Sequence, residues 1–266
     1  MASDPISSAI HDNAARGFDR AAEEYERGRP DYPPAAIELL ASELRLGPGQ
    51  TVVDLAAGTG KLTRRLTPTG AHVIAVEPVP GMRAQLVRAA PAADVLAGTA
   101  EAIPLADSSA DALFVAQAFH WFDTPVAARE IHRVLRPGRG LAVIWNIWDE
   151  SVAWVANMQQ LLGAYRGDTP QRGTSGWREQ LTATKLFTPL SDRQLANVVK
   201  GSLDVLIARS ASISFVATLP DDERTKVLTS VRELVRAEFP EGNVRAQLVM
   251  PYVTHVAWCH AVTPPA

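Results

Sequence analysis

The chain has 266 residues, of which 47% are hydrophobic, 21% charged and 6% aromatic, an ordinary globular composition that excludes a disordered tail, a fibrous repeat and a coiled coil. Twenty-six Lys and Arg stand against 29 Asp and Glu, a net charge of −3, so no overall basic field draws the chain to nucleic acid or anionic lipid. A lone cysteine, Cys259, makes neither an intrachain disulfide nor a multi-cysteine zinc cluster.

Residues 35–46 place Ala35, Ile37, Leu39, Leu40 and Leu44 at helical spacing and stop at Gly47-Pro48-Gly49, a helix followed by its breakers. Residues 51–56, Thr-Val-Val-Asp-Leu-Ala, form a short apolar run rich in β-branched residues, which reads as a buried parallel strand. The same punctuation predicts strands at 72–77, 93–97, 111–118 and 139–147, with helices near 60–69, 80–90 and 124–135. Strand alternating with helix on this scale implies right-handed crossovers and a doubly wound α/β fold, a parallel sheet with helices on both faces.

After Asn146 the pattern changes. A helix is expected at 151–166, then a polar loop with Gly167, Pro170, Gly173 and Gly176, and a weak strand at 193–200. Two helical stretches, 202–218 and 221–238, are divided by Pro220. The last strand, 247–258, contains Pro251, which argues for an edge or bulged position in its early part. The expected organisation is an N-terminal segment 1–34, a core 35–150, and a completion of the same domain over 151–266 with a helical cap near 202–238. No run of 18 apolar residues spans a bilayer, and residues 1–17 carry no hydrophobic leader. A reducing, cytoplasmic setting is therefore expected.

Asp54-Leu55-Ala56-Ala57-Gly58-Thr59-Gly60-Lys61 carries the most chemistry. A strand ends, glycines turn the chain with no side chains in the way, and a helix begins with its N–H groups pointing outward. Dinucleotide enzymes and purely structural turns share this feature, but the G-x-G-x-x-G fingerprint is broken by Thr63. Glu77 closes the otherwise apolar Val-Ile-Ala-Val-Glu-Pro, where a carboxylate can accept two hydrogen bonds from a ribose diol or simply sit solvated in the loop.

Together these residues resemble the class I methyltransferases that use S-adenosylmethionine. The similarity continues through Gly98-Thr99-Ala100-Glu101-Ala102-Ile103-Pro104-Leu105, the strand Ala112 to Ala118, and Arg133-Val134-Leu135-Arg136-Pro137-Gly138. Within that class the chain is similar to the small-molecule branch containing trans-aconitate methyltransferase-like enzymes. Phe18 to Pro33, Gln117-Ala118-Phe119-His120-Trp121-Phe122, Trp145-Asn146 and Asp149-Glu150-Ser151 carry that closer likeness.

The resemblance implies a seven-stranded, mainly parallel Rossmann-like sheet with a C-terminal antiparallel strand. It implies S-adenosylmethionine as cofactor, held by Tyr25, Asp54, Ala56, Gly58, Gly60, Glu77, Pro78, Thr99, Ala100, Glu101, Gln117 and Phe119. It also implies that residues 1–34 fold over the cofactor as a lid, for which Gly28, Pro30, Pro33 and Pro34 suit an extended, bending chain. Two positions depart from the family: Ala56 replaces the first loop glycine, and Thr99 replaces an aspartate that many relatives offer to the adenine amino group.

Methyl transfer from a sulfonium requires an aligned nucleophile and exclusion of water. The rings of Tyr25, Phe119 and Trp121 are candidates to face the cation, with core packing as the competing role. His120, after the fourth strand, is the candidate general base or substrate orienter, or else a structural histidine. Arg29 and Arg209 could hold an anionic acceptor or lie on the surface, and Trp121 and Trp145 stand on the substrate side. The six histidines form no metal-ligand spacing, so no metal is expected; the expected partner is a small-molecule methyl acceptor, with neither nucleic acid nor membrane. A non-catalytic protein of the same fold and a nicotinamide oxidoreductase are the competing readings.

Overall fold

A computed structural model describes residues 26, 28–169, 176–239 and 248–262. In chain order its elements are α1 (Pro34–Glu43), β1 (Thr51–Leu55), α2 (Thr63–Leu66), β2 (His72–Val76), α3 (Pro80–Ala89), β3 (Asp94–Leu96), β4 (Ala110–Ala116), α4 (Thr124–Val134) and β5 (Leu135–Trp148). They continue with α5 (Ala153–Gly163), α6 (Trp177–Ala183), β6 (Ser191–Gly201), α7 (Leu203–Ala211), α8 (Ser214–Ala217), α9 (Asp221–Glu238) and β7 (Leu248–His260). The strands form one sheet in the order β3-β2-β1-β4-β5-β7-β6. Neighbours pair in parallel from β3 to β5, and β7 runs antiparallel to both β5 and β6. This is the α/β sheet expected from the sequence.

The central strands present apolar side chains to both faces because both are covered. Val53, Leu55, Leu113, Val115 and Val143 face one cluster with Ile131 of α4. Val52, Ala112, Phe114, Ala142 and Ile144 face the other with Leu40, Leu62 and Leu66. A third cluster joins α5, α7 and α9 to the start of β7: Val155, Met158 and Leu206, then Val227, Val231 and Val235, with Met250 and Tyr252. The four-residue spacing of the three α9 valines places them on one helical face.

Two expectations are corrected. The helix predicted at 60–69 is only the four residues of α2 followed by a 3₁₀ turn at Thr67–Thr69, because Pro68 lacks the N–H that would continue it. The stretch 202–218 breaks between α7 and α8. Past the polar loop, of which residues 170–175 lie outside the described ones, stands α6, a helix the sequence did not announce because its buried Trp177 and Leu181 span too few turns to show a period. Pro251 marks a finer distinction: β7 is interior over most of its length. Its first residues, before Tyr252 meets Trp148, pair with β6 alone, so the proline avoids a ladder position on the β5 side. Among the described residues no helix is long and apolar enough to cross a membrane.

Candidate functional site

Strand order reverses between β1 and β4, and in open α/β sheets ligands bind outside the carboxyl ends of the strands at such a point. The turn after β1 has left-handed backbone at Ala56, Gly58 and Gly60, with φ of 57°, 59° and 87°. The two glycines take this conformation freely; Ala56 does so at a cost of about 1–2 kcal/mol. A Cβ on Gly60 would fall 2.5 Å from Leu86 Cδ1 of α3, whereas nothing among the described residues lies within 4 Å of one built on Gly58. The turn is therefore tight on its helix side and open on the other.

Glu77 sits immediately beyond β2 and is only 4% exposed. The Gly58 N–H donates to its Oε2 at 2.9 Å and the Val79 N–H to its Oε1 at 2.8 Å. Burial pushes its pKa up to about 7, against the pull of those two N–H groups and of Arg83. Arg83 donates to the carbonyls of Glu77 and Pro78, fixing the chain that carries the carboxylate.

Asp54, in β1, is fully buried. Its Oδ2 accepts from the Thr63 hydroxyl at 2.6 Å, while its Oδ1 has no hydrogen-bond partner among the described residues. Burial, and then the nearby Glu77 charge, raise its pKa to about 7 in spite of the Thr63 hydroxyl.

The other strand ends complete the rim. Glu77 N–H donates to Leu96 O at 3.0 Å and Ala57 N–H to Val76 O at 3.1 Å, tying the tips of β1, β2 and β3 together. Beyond β3, Thr99 and Ala100 are buried and Thr99 bridges Ala102. The Glu101 carboxylate accepts from Asp123 N at the entry to α4, so its side chain serves a turn. Gln117, at the end of β4, has φ 61°; its N–H donates to Ile144 O at 2.9 Å and its Nε2 to Asn146 O at 3.2 Å. A bulky residue in left-handed backbone beside a crevice is the kind of strain that clusters at functional sites.

His120 and Trp121 are half-buried in the 3₁₀ turn Phe119–Trp121, with ring centres 4.9 Å apart. Phe119, for which core packing is the competing role, and Trp145 lie deeper in the fold. Both rings are buried, and each packs 5.1 Å from Trp177 of α6, an aromatic partner that local sequence did not announce. Tyr25 lies outside the described residues.

The segment entering α1 links the glycine turn to the cap. Glu26 accepts from the Thr59 hydroxyl at 2.6 Å and from Arg64 Nη2 at 2.8 Å. A Cβ on Gly28 would lie 2.3 Å from Arg209 N of α7, so glycine is required where the two backbones touch. Arg29 donates to the Ser212 hydroxyl at 3.2 Å and carbonyl at 3.0 Å. Arg209, read from the sequence as either a ligand or a surface residue, is only 7% exposed. Sequence reasoning missed Glu26, Trp148 and Tyr252. The last two become neighbours only through the β5–β7 register. Among the described residues no three His, Cys, Asp or Glu are grouped to hold a metal.

Comparison with known proteins agrees with this architecture. Residues 53–144 match the methyltransferase domain family. An uncharacterized methyltransferase of Mycobacterium bovis is 41% identical over 237 residues, 89% of this chain and 92% of its own length. One from Schizosaccharomyces pombe is 36% identical over 222 residues, 83% of this chain and 88% of its own. A solved structure described as a type II methyltransferase from Anaeromyxobacter dehalogenans superposes with a TM-score of 0.62 at 24% identity, over 88% of this chain and 97% of that one; it speaks for the fold. With relatives this similar along nearly its whole length, the chain belongs to the methyltransferase domain family and has the Rossmann-like fold of the class I methyltransferases.

Proposed function

We propose that the chain methylates a small organic molecule, at a carboxylate or hydroxyl oxygen, with S-adenosylmethionine as donor. The observation that carries this reading is the pairing, across one crevice, of an open glycine turn with the buried Glu77 that accepts its Gly58 N–H. The residues fit the cofactor. Each Glu77 oxygen accepts one backbone N–H and keeps a lone pair for one hydroxyl of a ribose diol. Asp54 Oδ1 is a buried acceptor awaiting a donor, the open side of Gly58 admits the ligand's amino-acid end, and the segment from Thr99 to Glu101 offers backbone to the adenine.

When bound, the cofactor supplies a methyl group already activated on a sulfonium. The protein's share is geometry: holding acceptor and donor in line is worth roughly 7–11 kcal/mol of barrier. Trp121 can present an electron-rich face to the cation, worth about 0.5–2 kcal/mol. The segment from Gly28 to Tyr32 covers the approach and excludes water. His120, at the tip of β4, is placed to take a proton from a hydroxyl acceptor; a carboxylate acceptor requires no base.

Calorimetry with S-adenosylhomocysteine tests the cofactor assignment, with a measurable heat expected and its absence from folded protein counting against the whole reading. Turnover of labelled donor then separates an enzyme from a protein that only binds. His120→Ala is expected to leave S-adenosylhomocysteine affinity within about twofold while lowering turnover of a hydroxyl acceptor roughly 10²-fold or more. Unchanged turnover would make this histidine structural.

A further inference from the structure

At the carboxyl end of β5, polar atoms that can only donate are gathered where none of the described residues accepts from them. Trp148 Nε1 and Arg209 Nε and Nη1 are all buried without a hydrogen-bond partner among the described residues. They are neighbours: the Arg209 guanidinium carbon stands 5.9 Å from the centre of the Trp148 ring. Trp148 in turn stacks on Tyr252, its register partner, at 4.1 Å. The Tyr252 hydroxyl is also buried and makes no hydrogen bond of ordinary geometry among the described residues, although Arg209 lies close enough for a weak polar contact. Burial pushes this phenol up to about 12, outweighing the Arg209 and Arg29 charges, so at neutral pH it keeps its proton and can donate.

Buried donors without acceptors are rare in native proteins, and a buried cation without a counter-charge is costlier still. No carboxylate of the described residues pairs with Arg209; the acid on its own helix, Asp204, is taken by Arg232. The cluster also has a place. It lies at the end of β5, whose Asn146 carbonyl accepts from Gln117 at the tip of β4, and so on the same edge of the sheet as the crevice. The segment 28–32 joins the two, with Gly28 against the Arg209 backbone and Arg29 on Ser212.

We propose that Arg209, Trp148 and Tyr252, with Arg29 at the rim, form a subsite for a carboxylate of the methyl acceptor. A carboxylate matches the planar guanidinium fork and has lone pairs for the indole and phenol as well. The apolar surroundings, Leu206, Phe215 and Met250, suit one delocalised charge better than a phosphate dianion. As a step in methylation this subsite rests on the cofactor reading above; as a binding site it does not.

The test is calorimetry on the full chain with acetate, succinate and benzoate, each against its amide, with and without S-adenosylhomocysteine. At least one acid is expected to saturate, with its amide tenfold weaker or worse. Arg209→Met is expected to weaken that acid roughly 10- to 150-fold, the range for losing a charged hydrogen bond, while S-adenosylhomocysteine affinity stays unchanged. Amides binding as well as acids, or Arg209→Met keeping acid affinity, would overturn the proposal. Should that variant not fold, a crystal of the unaltered protein with the acid decides: a carboxylate oxygen within about 3.2 Å of Arg209 Nε supports the subsite, and the acid bound elsewhere refutes it. Acid binding without any S-adenosylhomocysteine heat would sink the cofactor reading and leave the subsite standing.

Discussion

Replacing Glu77 with alanine is expected to weaken S-adenosylhomocysteine binding by about 1.5–3 kcal/mol, ten- to hundredfold, in a calorimetric titration. The side chain is buried, its backbone is held by Arg83, and its two oxygens are aimed by the N–H groups of Gly58 and Val79. Little entropy remains to be lost when a diol arrives. The same burial predicts a pH dependence. A carboxyl raised from 4.5 to about 7 holds its proton more readily folded than unfolded, so the stability it contributes is full below about pH 4.5 and declines as pH rises towards 7. Binding that needs the ionised form runs the other way and tightens with pH. Between pH 6 and 8 the ionised fraction of such a group grows about tenfold, and affinity should follow. Glu77→Gln, uncharged throughout, should flatten the Glu77 part of the profile, leaving what the neighbouring Asp54, also near 7, contributes. An affinity indifferent both to pH and to the loss of the carboxylate would remove Glu77 from the ribose.

That site was legible in the sequence because its parts are contiguous. One strand, one turn and one following acid are local features, and Asp54, Gly58, Gly60 and Glu77 occupy the strand ends where their spacing placed them. Ala56 was also readable as a strained substitute for glycine, and its φ of 57° is the strain. What sequence could not show depends on distant register. Core packing was an open role for Phe119, but its partner was not legible: α6 brings Trp177 against both Phe119 and Trp145 from far along the chain. Arg209 looked like any helix arginine, because its burial comes from Gly28, Trp148 and Tyr252, far away in the chain. The weakly periodic second half gave helices and strands approximately, yet the cap's packing is long-range and no local pattern encodes it.

Asn146→Asp is expected to cost about 2–5 kcal/mol of unfolding free energy, read by urea denaturation with tryptophan fluorescence and circular dichroism as coincident probes. The change adds no volume, so any loss comes from hydrogen bonding. Asn146 Nδ2 donates to the carbonyls of Pro30 and Asp31 at 3.3 and 3.2 Å. Its Oδ1 accepts from the Thr254 hydroxyl at 2.6 Å and from Asn197 Nδ2 at 3.0 Å. The amide orientation follows from these partners, because two carbonyls can only accept. One buried side chain thus ties β5 to β6, to β7 and to the segment that enters α1. An aspartate keeps the accepting half but turns its second oxygen on two carbonyls, burying a charge against like partial charges. Asn197 still donates to Asp31 O at 3.0 Å, so the Pro30 end should loosen first. Proteolysis ahead of Pro34 should therefore quicken more than global unfolding does. A loss below about 1 kcal/mol, with unchanged cleavage, would show that the contacts of Glu26, Arg29 and Asp31 suffice to hold the segment, and that this junction is not what fixes it.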